Sequence, residues 1–335
     1  MQSSLFYHSK QLFGLDITTE AIRVMQTIKH GQRYKVQCYG SAPLQPGIIK
    51  EGIITDPQAV ATTIRQLLKS GVTGEVTTTN VALSIPVART FSRAVRLPKL
   101  GQTELQEAVQ LEVEQYTPVA IDNLYTDYSI ISTSGDQIEL LTVAAPKQIV
   151  DSYLAVTDLL GLRAVTIETT VEAAYRLFAA TEHSDLPTVL VTINRSNADM
   201  SIIDKAVVAT ASASYMPATK SRQAVPKPTS TSKTDKTSKA SSDPFITEVR
   251  RIIRYFEERY DQAKRIEQVV IFGDPSHLSD VGSRLTAELR MPARSSNPLK
   301  LFQFEHDVTD LPTKLQGEYL TAAGLSIIQD SELAG

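Results

Sequence analysis

Hydrophobic positions along this chain switch repeatedly between period 2 and period 3.6. The run 13–17 is apolar apart from Asp16, the pattern of a short buried strand. Across 20–28, Ile22, Val24 and Gln26 alternate with Ala21, Arg23 and Met25, and Gly31-Gln32 permits a hairpin into a strand over 34–39. Asp56-Pro57 reads as a helix start, since the carboxylate can cap free amides and proline suits the first turn. Val60, Ile64, Leu67 and Leu68 then share one helical face before Gly71. Strands are predicted over 80–86 and 90–97, the second stopped by Pro98. A helix over 103–116 places Leu105, Ala108, Val109, Val113 and Tyr116 on one side and ends at Thr117-Pro118. Strands over 124–131 and 138–145 flank the turn Ser134-Gly135-Asp136. A helix over 146–160 stops at Gly161, followed by a strand over 165–168 and a helix over 171–180.

A second strand set is predicted over 189–194, 200–203 and 207–211. Asp243-Pro244 repeats the cap-plus-proline start, and Phe245, Val249, Ile252, Ile253, Phe256 and Tyr260 form an apolar stripe at helical spacing. A buried strand over 268–273 and helices over 279–289 and 318–328 complete the pattern. Between the second strand set and this helix, residues 217–242 are rich in Ser, Thr, Lys and Pro and nearly devoid of bulky apolar residues. They are expected to be disordered, as a tolerated insertion or a basic tether.

Composition narrows the function. With 335 residues the chain is long enough for two lobes. A net charge of −3 gives no whole-chain attraction to nucleic acid. Cys38 is the single cysteine, which excludes an internal disulfide, and the five histidines show no metal-ligand spacing. No apolar run reaches the roughly 18 residues needed to span a bilayer, so the expected location is cytoplasmic, meeting a membrane only through partners. Glu104, Glu107 and Glu114 make an acidic stripe on the 103–116 helix, expected to be a solvated face.

The element order is that of a duplicated ribonuclease-H-like lobe. Gly14-Leu15-Asp16-Ile17 with Arg23-Val24 resembles the first phosphate loop of actin-like ATPases. The stretch 189–203 stands where their second phosphate loop falls. Ile271-Phe272-Gly273-Asp274 resembles their adenosine turn, and Ala322-Ala323-Gly324-Leu325 their last connecting helix. The most specific segment lies between: Arg93 to Lys99, then Glu104-Leu105, Glu107-Ala108, Glu112, Glu114-Gln115-Tyr116, Pro118 and Asp127-Tyr128. It resembles the signature of the PilM family of type IV pilus assembly proteins, relatives of FtsA. The resemblance implies an α/β, actin-like fold of two ribonuclease-H-like lobes with an inserted 1C-type subdomain and a reduced second lobe. On that reading residues 1–80 and 151–188 form the first lobe, 81–150 the insertion, and 189–216 with 243–330 the second lobe. It also implies an adaptor at the inner face of the cell membrane that grips the cytoplasmic tail of a PilN-like protein, in a groove between the first lobe and the insertion. Through that partner it would connect indirectly to a PilO-like complex and the pilus motor.

The same resemblance implies an ATP–Mg²⁺ site, and the residues there depart from the pattern. Such a clamp needs glycine turns that let backbone N–H groups approach phosphate, and acids to hold the metal. Asp16 is kept as a candidate magnesium ligand. Thr18 replaces a glycine, Thr19 follows it, and Arg23 replaces a lysine. The second loop reads Thr192-Ile193-Asn194 in place of Asp-Ile-Gly, and Asp199 is offset from the lost acid. Gly273 is kept but Asp274 follows it. These residues are a residual cofactor site, and ATP binding is expected to be weak or absent. The alternatives are an active actin-like ATPase, or an adaptor of type II secretion or cell division.

Overall fold

The computed structural model describes residues 11–182, 184–194, 197–214, 243–259, 263–304, 317–329 and 332. The segment 217–242, residues 1–10 and Tyr260 therefore lie outside the described residues.

The first lobe is built on a seven-stranded sheet. Strands β1 (Phe13–Ile17), β2 (Ala21–His30) and β3 (Arg33–Pro43) form an antiparallel meander. The two-residue strands β4 (Ile49–Lys50) and β5 (Ile53–Ile54) make a separate small hairpin. Helix α1 (Pro57–Gln66) begins where expected, with Asp56 Oδ1 accepting from the Ala59 N–H at 2.9 Å, and passes into a wider turn over 67–71. Strand β6 (Val72–Gly74) then pairs with β3, and β7 (Asn80–Ile85) runs parallel to β1.

A three-stranded antiparallel sheet follows, from β8 (Phe91–Pro98), β9 (Leu124–Ser134) and β10 (Gln137–Pro146), in the order β8-β10-β9. Helix α2 (Gln102–Tyr116) lies on one face of it. Leu105, Val109 and Val113 pack there with Val95, Leu97, Ile138 and Leu140. The chain returns to the first lobe through α3 (Lys147–Leu160), ended by Gly161 in the left-handed conformation (φ 65°). Strand β11 (Arg163–Thr169) joins β7 in parallel, and α4 (Thr170–Thr181) follows.

The second lobe repeats the first. Strands β12 (Thr188–Ile193), β13 (Asn197–Asp204) and β14 (Ala206–Ser214) form its meander. Helix α5 (Pro244–Arg259) leads to β15 (Gln268–Phe272), and α6 (Pro275–Leu289) to β16 (Ala293–Ser295). The sheet order β14-β13-β12-β15-β16 matches β3-β2-β1-β7-β11 of the first lobe, with the same parallel and antiparallel senses. One fold unit thus occurs twice. Phe245, Ile246, Val249, Ile252, Ile253 and Phe256 of α5 are buried against the second sheet, so the apolar stripe is a core face.

Three features join the parts. Strand β17 (Phe302–Gln303) returns to the first lobe and pairs with β3. Helix α7 (Leu320–Ser326) is wedged between β1 and α4: a methyl at Gly14 would lie 2.2 Å from the Ala322 carbonyl oxygen, and one at Gly324 would lie 2.2 Å from that of Ala173. The small sheet leans on the second lobe, where the Ser92 and Thr210 hydroxyls are hydrogen-bonded, Arg259 meets Glu139 at 3.0 Å, and Ile131 packs on the core. The helix expected over 318–328 is shorter than its apolar pattern, and that expected from 279 starts a turn earlier, at Pro275. Among the described residues, no helix is long and apolar enough to cross a membrane.

Candidate functional site

The first turn of each repeated sheet opens into one cleft between the lobes, with a cavity of about 760 Å³. Its lining includes the sequence-predicted Asp16, Thr18, Thr19, Arg23, Asn194 and Asp274. Thr192 and Gly273 stand behind this surface. Thr192 is buried on β12, directly opposite Asp199 on β13. Gly273 has φ 152°, and a methyl there would sit 3.0 Å from the Ile193 carbonyl oxygen, so the adenosine-like turn presses on the second loop. Gly317 makes a similar approach, its methyl position 2.5 Å from the Asp274 nitrogen.

Asp16 is the penultimate residue of β1 and faces Arg23 across the β1–β2 pair. Its Oδ1 accepts from the Ser84 hydroxyl at 2.9 Å, and its Oδ2 lies 3.6 Å from the Arg23 guanidinium. Arg23 also reaches Glu318 at 3.1 Å. Burial pushes the Asp16 carboxyl above its ordinary value, against the pull of Arg23 and Ser84, and nearby Asp199 adds to the rise.

Three backbone donors of the first turn, those of Thr18, Glu20 and Ala21, are satisfied within it. The Thr18 hydroxyl oxygen accepts from the Ala21 N–H at 3.1 Å and the Glu20 N–H at 3.4 Å, and itself donates to the Ala21 carbonyl at 2.9 Å. The Thr18 N–H is bonded to that same carbonyl. Glycine at 18 would leave the amides of Glu20 and Ala21 without this side-chain partner.

Asp199, offset in sequence from the missing acid, stands in the cleft all the same. It accepts from Ser212 at 2.7 Å, Thr170 at 2.8 Å and Asn197 at 2.8 Å, with the Asn194 amide at 3.5 Å. Burial raises its carboxyl too, and those first three donors oppose the rise. Ser84, Thr170, Ser212 and Glu318 also escaped the sequence reading, because each arrives from a distant element. Asp199 did carry a signal: it is a lone acid among the mostly apolar residues 198–203. Among the described residues, no three His, Cys, Asp or Glu side chains gather closely enough to hold a metal ion.

Charge is uneven in the cleft. Asp16, Glu20, Glu51, Asp199, Asp274 and Glu318 line it, against Arg23 and Arg89. The doubled sheet, with a carboxylate from the first hairpin of each lobe facing one cleft, defines the actin-like ATPase fold. A model of the type IV pilus assembly protein PilM family matches residues 14–209, more than half of the sequence, and the chain belongs to that family. It is similar to a solved PilM-PilN type IV pilus biogenesis complex, with TM-score 0.74 and 19% identity over 95% of this chain and 98% of that one. A Bacteroides thetaiotaomicron protein with an actin-like ATPase fold matches at TM-score 0.47 and 9% identity, over 86% of this chain and 91% of that one. The ethanolamine utilization protein EutJ from Carboxydothermus hydrogenoformans gives TM-score 0.47 and 13% identity, over 94% and 88%.

Proposed function

We propose that this chain is a cytoplasmic adaptor of the type IV pilus inner-membrane complex, that it binds the N-terminal tail of a PilN-like membrane protein, and that its nucleotide cleft is degenerate. Family membership supports the adaptor role. The division into a first lobe, an insertion over 81–150 and a second lobe is part of the same reading, with the tail held by the insertion beside the first lobe. The chain meets the inner face of the membrane through that tail.

One observation carries the degenerate cleft: the Thr18 hydroxyl occupies the Glu20 and Ala21 amides. A phosphate clamp works by leaving such donors free. The cleft acids add to this, since six carboxylates against two guanidiniums repel a polyphosphate. Arg23, the nearest cation, is already shared between Asp16 and Glu318. The residues therefore fit ATP–Mg²⁺ poorly. Calorimetry of the full chain with ATP and Mg²⁺ tests this part, and no heat of binding is expected up to about millimolar nucleotide, roughly −4 kcal/mol of binding energy. Micromolar affinity, lost on Asp16→Ala, would restore the active ATPase. Capture of a PilN-like tail peptide by the purified chain tests the adaptor.

A further inference from the structure

We infer that the far end of the β2–β3 hairpin is a membrane-contact surface, which lays a cluster of cationic side chains and one exposed apolar side chain on the anionic phospholipid of the bilayer's inner face. This rests on the adaptor reading above, which brings the chain to that face by a tail alone. It adds a second contact that fixes how the chain is turned.

From Ala21 to Lys50 there is no Asp or Glu, in a chain that carries 37 of them and a net charge of −3. Positive charge gathers where β2 ends and β3 begins, and Lys29, His30, Arg33 and Lys35 are all exposed there. The register sets Ile28 opposite Lys35 and His30 opposite Arg33, and directly opposed residues share a face of the ribbon. Those four side chains therefore stand together, with Ile28 38% exposed among them. Lys29 lies opposite Tyr34 on the other face, where Tyr34 is buried. Among the described residues no carboxylate pairs with Lys29, His30 or Arg33. Lys300 is exposed in the turn before β17, the strand that borders β3. Two acids stand toward the same end. Glu332 comes near Tyr34 but is held by Arg176 at 2.8 Å, and Glu75 follows β6, which pairs with β3. Lys29, Arg33, Lys35 and Lys300 outnumber them.

The shape of this end selects a lipid surface over a peptide. Gly31 makes the turn with φ 63°, and a methyl there would meet nothing within 4 Å, so the tip has no neighbours. A convex tip without a groove offers an extended peptide no pockets. A plane of anionic headgroups needs only cations brought near it, and an apolar side chain can enter between the headgroups. The position of the cleft agrees with this orientation. β2 has ten residues, about 30 Å at roughly 3.3 Å per residue, and the turn at its other end lines the acidic cleft. With the hairpin tip on the bilayer, the cleft carboxylates stand several screening lengths from the headgroups that would repel them. Each Lys or Arg near an anionic leaflet is worth about fivefold in affinity, so four of them give half-binding only near millimolar lipid. The contact is weak alone and effective once a tail already holds the chain at the surface.

The test is co-sedimentation of the full chain, without any tail peptide, with vesicles of one part phosphatidylglycerol to two parts phosphatidylcholine. Binding is expected near millimolar lipid at low salt, with release at raised salt and none on pure phosphatidylcholine. Lys29→Gln with Arg33→Gln should weaken it about 25-fold, at an unchanged unfolding temperature because both sites are exposed. Lys29→Arg with Arg33→Lys keeps the charge and should bind as wild type does. Arg254→Gln with Arg265→Gln removes the same charge from exposed sites on the second lobe and should stay within about twofold. A loss under about fivefold for the hairpin pair, or an equal loss for the second-lobe pair, overturns the inference. So does binding that survives the hairpin changes and disappears on deletion of 1–10 or of 217–242. No binding to the mixed vesicles also overturns it, handing the hairpin cations to an acidic protein, and leaves capture of the tail peptide as the separate test of the adaptor.

Discussion

Replacing Arg23 by Met removes the guanidinium from a buried pair and leaves two carboxylates, Asp16 and Glu318, where one cation stood between them. The Arg23 and Asp16 side chains are only 9% and 5% exposed, so solvent cannot take over the lost interaction. Breaking a buried pair of this kind costs about 3–5 kcal/mol when the remaining charge stays ionised. Asp16 has an escape, because burial already holds its carboxyl above its ordinary value of 3.8 and removal of Arg23 raises it further. The sign follows from linkage. A carboxyl whose folded-state value is raised binds its proton more tightly in the folded chain, so it contributes no penalty below 3.8. The penalty grows as pH rises from 3.8 to the raised value, at about 1.4 kcal/mol per pH unit, and is constant above it. The deficit of Arg23→Met should therefore be full at pH 8 and shrink as the pH is lowered through the raised value. Urea unfolding of both proteins between pH 4.5 and 8 measures it. The pair Asp16→Asn with Arg23→Met should recover to within about 1 kcal/mol of wild type, since Ser84 can still donate to the amide oxygen. A deficit under about 1 kcal/mol at pH 8, or one independent of pH, refutes the view that Arg23 holds the buried Asp16 carboxylate in its charged form.

Three more outcomes are expected. Thr18→Gly frees the Glu20 and Ala21 amides and should tighten ATP binding about tenfold, as two recovered hydrogen bonds allow, enough for calorimetry to detect it below about millimolar nucleotide; a variant that still shows no binding would locate the defect elsewhere. Gly14→Ala drives a methyl into the Ala322 carbonyl, and thermal unfolding should report a loss of about 3 kcal/mol. Glu172 is held up to about 7 by burial first and by Glu168 and Glu332, against the pull of Arg176. Its penalty grows between 4.5 and about 7, so Glu172→Gln should stabilise the chain by about 1 kcal/mol at pH 8, a figure discounted for its partial exposure, and by nothing near pH 4.5.

Long amphipathic elements were legible in the sequence because each buries one face on a single neighbour. The Asp56 and Asp243 helix starts, the Gly161 stop and the α5 stripe all stand where local chemistry puts them. Strands β6, β16 and β17 were not legible: two or three residues show no alternation, and such strands exist only by pairing with something remote. The cleft was legible along β1 and its turn. It was opaque for Ser84, Thr170 and Ser212, small polar residues whose role is fixed by the carboxylate each meets. Thr18 was identified as a residue in the wrong place, but only the geometry gives its effect, which is to occupy the amides of its own turn.

The wedge of α7 between β1 and α4 has a consequence for synthesis. Strand β1 packs against residues 320–326, and β3 pairs with residues 302–303, both far downstream in the chain. The first lobe therefore cannot close its core until residues 302–326 have been made, and holds apolar surface open until then. Contacts that span this much sequence slow folding and lengthen exposure to aggregation. The two lobes are duplicates in architecture, yet the first is not a finished folding unit by itself: it is tied shut by α7, which follows the second lobe.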